Sequence, residues 1–184
     1  MKDISLIAFD ADDTLWECQT YFEAVENGYC EVLKAYASPD EISKALFAVE
    51  TANMPLLGYG SKAFLLSLLE NAIEISDGKL KAKEVKKIID LGKGLLELPG
   101  RPMDGVEETL KVLHDAGKYH LVVFTKGELL DQENKFRRSG LSLYFEDIIV
   151  VSDKTEMSYH QLCDRYSIDV DQLLMVGNSF RSDI

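Results

Sequence analysis

Four short apolar runs stand out along the chain: SLIAF (5–9), YHLVVFT (119–125), DIIVVS (147–152) and QLLMVG (172–177). Each is rich in Val, Ile, Leu or Phe and bounded by polar or glycine residues, as strands buried on both faces of a parallel sheet usually are. Around and between the later runs, apolar residues recur at helical spacing in DGVEETLKVLHDAGK (104–118), ELLDQENKFRRSG (128–140) and EMSYHQLCDRYSI (156–168). Strands alternating with helices of this length predict an α/β fold built on a doubly wound, Rossmann-like parallel sheet. Ligands of such sheets bind beyond the C-terminal strand ends. Asp10, Thr125, Ser152 to Lys154 and Gly177 to Asn178 all fall there.

The stretch from 17 to 98 breaks the alternation and reads as helix throughout: YFEAVENGYCEVLKAYA, PDEISKALFAVETANM, SKAFLLSLLENAIEI and KAKEVKKIIDLGKGLLEL. Ser38-Pro39, Gly58 to Gly60 and Ser76 to Gly78 punctuate it. The expected organisation is a core domain of residues 1–16 and 99–184 with an inserted α-helical bundle, 17–98, as a cap over the crevice. No internal repeat or low-complexity tract interrupts this plan.

The first strand runs straight into Asp10, Asp12 and Asp13. Mutual repulsion makes such a cluster costly unless a cation, a proton or backbone donors offset it. A solvated turn or a helix N-cap is the alternative reading of these residues taken alone. Asp13 is expected to end the turn and cap the following helix, and Trp16 to pack where core and insert meet.

Composition narrows the function classes. With 20 basic against 32 acidic residues, a net charge of -12 and no basic stripe, the chain does not suit a phosphate backbone, so nucleic acid is excluded as the main partner. The N-terminus MKDISLIAFDADD is charged and lacks a long apolar core, and no segment reaches bilayer-spanning length, which predicts a cytoplasmic protein with no membrane partner. Cys18, Cys30 and Cys163 form no C-x-x-C pair, and His160 with Cys163 supplies two ligands, too few for a zinc site. Nothing in the pattern fixes an oligomeric state.

The ordered set D-x-D-x-T at Asp10, Asp12 and Thr14, then Thr125, then Lys154, then G-N-S-x-x-x-D from Gly177 to Asp183, resembles the four motifs of the haloacid dehalogenase superfamily. The similarity spans essentially the whole chain, with the helical insert in the place of that superfamily's C1-type cap. The resemblance implies Asp10 as a nucleophile that forms an aspartyl-phosphate and Asp12 as the acid and base that serves the leaving group and then water. It implies Thr125 and Lys126 at a helix N-terminus as phosphate-binding groups, and Lys154 as the fixed cation beside Asp10. Mg²⁺ would be held by Asp10, the Asp12 main-chain carbonyl, Asn178 and Asp183.

Asn178 departs from the pattern, which usually carries Asp there, so weaker metal binding is expected. Asp183 could compensate directly or through metal-bound water. The sequence stops at Ile184, where this fold normally continues with another strand and helix; a truncated sheet edge is the expectation. The function implied is a Mg²⁺-dependent phosphatase of a small phosphorylated metabolite. The alternatives are a very slow or non-catalytic relative that binds a phosphorylated ligand, a 2-haloacid dehalogenase and a phosphomutase. Dehalogenases of the superfamily characteristically lack an acid at the Asp12 position.

Overall fold

The computed structural model describes residues 3–183. The chain divides into two compact units, one running to Cys18 and resuming at Pro99, the other spanning Gln19–Leu98. β1 (Leu6–Phe9) opens the first unit, and the second consists of α1 (Gln19–Leu33), α2 (Pro39–Leu57), α3 (Ser61–Ile75) and α4 (Ala82–Leu95). The first unit then resumes with α5 (Val106–Ala116), β2 (His120–Lys126), α6 (Leu129–Ser139), β3 (Asp147–Val151), α7 (Glu156–Tyr166) and β4 (Leu173–Val176). The division falls after Cys18 rather than Trp16. Glu17 N–H donates to the Arg101 carbonyl at 3.2 Å and Cys18 N–H to Asp13 Oδ1 at 2.8 Å, tying both residues to the first unit.

The strands form a parallel sheet in the order β3-β2-β1-β4. Leu6 and Ala8 point to one face, with Val122, Phe124 and Leu162 of α7. Ile7 and Phe9 point to the other, with Leu121, Val123, Leu110 of α5, Trp16 and Phe145. Both faces are therefore covered, which is why these runs lack polar alternation. The chain passes outward from β1 through β2 to β3 and then returns to place β4 on the far side of β1, so the topological switch point lies between β1 and β4. Asp10 and Gly177 follow these two strands directly.

In the helical unit, Ser38 caps α2 with Glu41 answering from the third position, its carboxylate accepting the Ser38 N–H at 2.9 Å. α2 continues beyond Met54, through Pro55, to Leu57. A proline in the last turn forfeits one helical hydrogen bond, and the stop comes at Gly58, whose N–H still bonds the Met54 carbonyl. Tyr29, fully buried, donates to the Leu68 carbonyl at 2.9 Å and accepts from Asn71 at 2.8 Å, a polar tie within a core of Leu33, Ile42, Leu46, Leu68 and Ile88. Among the described residues no helix is long and apolar enough to cross a membrane.

Candidate active site

The strand ends bring the motif residues into two hydrogen-bonded groups. In the first, the Lys154 ammonium, its side chain 1% exposed, donates to Asp10 Oδ1 at 2.5 Å and to Asp183 Oδ1 at 2.6 Å. Asp10 is fixed by its own N–H, which donates to the Val176 carbonyl at 2.8 Å. The other Asp183 oxygen accepts the Ser179 N–H at 3.0 Å. Asp183 also lies so close to Gly177 that a Cβ there would meet its Oδ2 at 2.3 Å, which is why the motif opens with glycine. Asp183 is thus buried and occupied on both oxygens, an anchor for Lys154 more than an open metal donor.

The second group centres on Asp12. Lys135 of α6 donates to both of its oxygens at 2.7 Å, Gln132 Nε2 to Oδ2 at 2.8 Å and the Trp16 indole N–H to Oδ1 at 2.8 Å. The two groups are linked through Lys126: its carbonyl accepts from Gln132 at 3.0 Å and its ammonium donates to the Ser182 hydroxyl at 2.8 Å. Lys126 therefore braces the loop after β4, a placement that differs from the expected open phosphate ligand. Thr125 is buried at the end of β2, its hydroxyl making a long 3.4 Å contact to the Lys126 carbonyl. Asn178 is exposed. Asp13 adopts the left-handed region, with φ 58°, and accepts from Cys18 N–H just ahead of α1, so it closes the turn as expected.

Electrostatics drive the two catalytic candidates apart. Burial raises the Asp10 carboxyl above the usual aspartate range; Lys154 opposes this without cancelling it, and nearby Asp183 adds to the rise. Burial would raise Asp12 as well, but the Lys135 charge and the hydrogen bonds from Lys135, Gln132 and Trp16 hold it below that range. Burial on its own would lower the Lys135 ammonium, yet Asp12 keeps it above the ordinary lysine value. Asp12 is thus a carboxylate in this geometry, the form suited to act as a base, whereas the sequence pattern also assigns it an acid's work.

The donors available for a cation are oxygens of Asp10, the Asp12 main-chain carbonyl and the Asn178 amide, with Asp183 held behind them by Lys154 and Ser179. Oxygen donors suit a hard ion such as Mg²⁺, and two carboxylates on the single Lys154 ammonium leave negative charge for it to offset. Among the described residues no three His, Cys, Asp or Glu side chains cluster as a metal site by themselves. An ion here would depend on main-chain and amide oxygens as well, and these residues fit that requirement.

Lys135, Gln132 and the polar role of Trp16 were not legible in the sequence. The available signal was the spacing of Gln132 and Lys135, one turn apart on α6, but in LDQENKFRR it reads as a solvated helix face.

Comparison with known proteins places this geometry. The chain matches the model of the haloacid dehalogenase-like hydrolases over residues 4–184. A search of curated proteins found no match. Among solved structures, it is 35% identical to a haloacid dehalogenase-like family hydrolase from Xanthomonas campestris, with a TM-score of 0.92 over 98% of this chain and 76% of that one. YfnB from Bacillus subtilis, a HAD-hydrolase bound to magnesium, matches at 16% identity and a TM-score of 0.70, over 100% of this chain and 83% of that one. A predicted phosphoglycolate phosphatase from Haemophilus somnus matches at 20% identity and a TM-score of 0.63, over 99% and 80%. A 2-haloacid dehalogenase from Pseudomonas syringae shares the fold at 19% identity. With the ordered motifs at the strand ends and the family match over nearly its whole length, the chain belongs to the haloacid dehalogenase-like hydrolases.

Proposed function

We propose that this hydrolase is a Mg²⁺-dependent phosphatase that acts on a small phosphorylated metabolite through an aspartyl-phosphate on Asp10. The observation that carries the reading is Asp12, an aspartate two residues beyond the nucleophile and held by four hydrogen bonds. Displacing halide from carbon needs no proton for the leaving group; expelling an alkoxide from phosphorus does.

In the proposed reaction an Asp10 carboxylate oxygen attacks phosphorus. The phosphorus–oxygen ester bond breaks, and its electron pair leaves on the ester oxygen, which takes a proton from the minor acid form of Asp12, whose proton comes from solvent or from the water split in the preceding turnover. Asp12 then takes a proton from water as that water attacks the aspartyl-phosphate, which releases phosphate and restores Asp10. Lys154 lowers the repulsion between Asp10 and the incoming anion, and Thr125 with the N-terminal turn of α6 receives the phosphoryl oxygens. Asp10, the Asp12 carbonyl and Asn178 would hold Mg²⁺, with Asp183 behind them; the ion supplies charge neutralisation at the phosphoryl group.

The test is release of phosphate from a panel of sugar phosphates, phosphoglycolate and nucleoside monophosphates, with and without Mg²⁺, beside release of chloride from 2-chloropropionate. Phosphate release that requires Mg²⁺ is expected. Chloride without phosphate would overturn the reading in favour of a dehalogenase.

Asn178→Asp tests the metal side. An added carboxylate strengthens the site, so the Mg²⁺ concentration giving half-maximal rate should fall about tenfold. Phosphate release appearing only in this variant would favour the ligand-binding relative, with the natural site impaired at Asn178.

A further inference from the structure

We infer that Lys135 is a positioning residue for Asp12: with Gln132 and Trp16 it fixes the direction of that carboxylate beside the nucleophile. This rests on the phosphatase reading for its catalytic consequence, though not for its geometry.

Lys135 is 2% exposed, and its ammonium lies 2.7 Å from each Asp12 oxygen and 3.9 Å from Asp131 Oδ2. Burying an ammonium costs several kcal/mol before any partner is counted, and an apolar side chain of similar size would fill the same space without that cost. A lysine here is explained by what it holds. A single donor would satisfy one Asp12 oxygen and let the side chain turn. Here Oδ1 receives Trp16 and Lys135, and Oδ2 receives Gln132 and Lys135, so rotation about the carboxylate axis breaks bonds at both ends.

The donors are themselves fixed. Gln132 cannot flip its amide, because Nε2 serves two acceptors, Asp12 Oδ2 and the Lys126 carbonyl at 3.0 Å, and Oε1 would repel both. Its Oε1 stays buried with no partner among the described residues, a cost accepted to keep Nε2 on Asp12. Trp16 is fully buried in the core. The main chain of α6 is clamped at Lys135 itself: Gly100, at φ 62°, sits so close that a Cβ would lie 2.7 Å from the Lys135 carbonyl.

A group that delivers a proton in a transition state must be aimed within tenths of an ångström, and its loss matters more when the leaving oxygen is more basic. The test therefore compares Lys135→Met with the natural protein on an alkyl phosphate and on p-nitrophenyl phosphate, whose leaving group needs no protonation. We expect kcat/KM, which covers the steps up to formation of the aspartyl-phosphate, to fall about 100-fold on the alkyl ester and little on the aryl ester, whereas kcat on either ester also carries the later attack of water.

The second readout needs no activity. Trp16 is the chain's single tryptophan, so the indole N–H gives one NMR cross-peak, and its hydrogen bond to a carboxylate moves that peak downfield. Lys135→Met should shift it upfield toward the position found in Asp12→Ala. Should Lys135→Met fail to fold, Lys135→Gln is read in the same way. Equal losses of kcat/KM on both esters, or an indole peak unmoved in the variant, would overturn the proposal. If the natural protein releases phosphate from no ester, the phosphatase reading fails, and the indole peak still decides whether Lys135 holds Asp12.

Discussion

Asp10→Asn is expected to remove Mg²⁺-dependent phosphate release by roughly 10⁴-fold or more, while making the protein more stable. The activity loss follows from the nucleophile: an amide oxygen cannot form the acyl phosphate that the carboxylate forms. The gain in stability follows from the site's electrostatics. Burial raises the Asp10 carboxyl, so its ionised form is harder to accommodate folded than unfolded. Well below the unfolded carboxyl's range the group is protonated in both states and costs nothing. As pH rises through its raised folded value the penalty grows, and it is complete above that value.

Asn removes this penalty and keeps an oxygen for Lys154, which donates to Oδ1. A gain on the order of 1 kcal/mol would lift the melting temperature by about 2–4 °C for a chain of this size. Thermal melts of both proteins at neutral pH, and again under mild acid, provide the check. The variant should melt higher at neutral pH and lose its advantage in acid. A lower melting temperature at neutral pH would mean that the Lys154 contact outweighs the burial of the charge.

Lys154→Met should cost both function and stability. The ammonium is the shared cation of Asp10 and Asp183, and its removal leaves two carboxylates facing each other in a buried site. Breaking a buried pair from one side typically costs about 3–5 kcal/mol, since the remaining charge stays unpaired. Activity should fall by at least about 10³-fold, because Asp10 must then approach an anionic phosphoryl group unaided.

The sign of the pH dependence separates charge from packing. Without Lys154 the Asp10 carboxyl rises further, so the variant binds protons more readily when folded and loses stability as pH rises. Urea unfolding at pH 5 and pH 8 should show the gap between variant and natural protein widening with pH. An equal gap at both values would assign the loss to the shape of the methionine side chain.

Both effects involve residues whose placement could be read in advance. In a parallel sheet every strand presents its C-terminal end to the same edge, so residues just past four apolar runs must gather there. That argument alone brings Asp10, Thr125, Lys154 and Gly177 to one side of the sheet, although Lys154 lies 144 positions from Asp10. The helical insert was legible for a similar reason: 3.6-residue periodicity and a Ser38-Pro39 start are local signals that need no partner to be recognised.

The pairings inside the site were a different matter. The ordered motifs set Lys154 beside Asp10, but nothing local says that Asp183 shares that ammonium, nor where the ammonium groups of Lys126 and Lys135 go. Lys126 follows the phosphate-side threonine yet turns to Ser182, and Lys135 sits in a polar helix that reads as solvated yet is 2% exposed.

The α/β class, the order of elements and the edge at which the chemistry gathers can be read from the chain alone, because strand burial and helix amphipathicity are written at short range. That Asp12 belongs to Lys135, Gln132 and Trp16, and that Asp183 joins Asp10 on Lys154, emerges from the folded chain. Burial and charge pairing depend on groups brought together across as many as 144 residues, and no local pattern encodes that encounter.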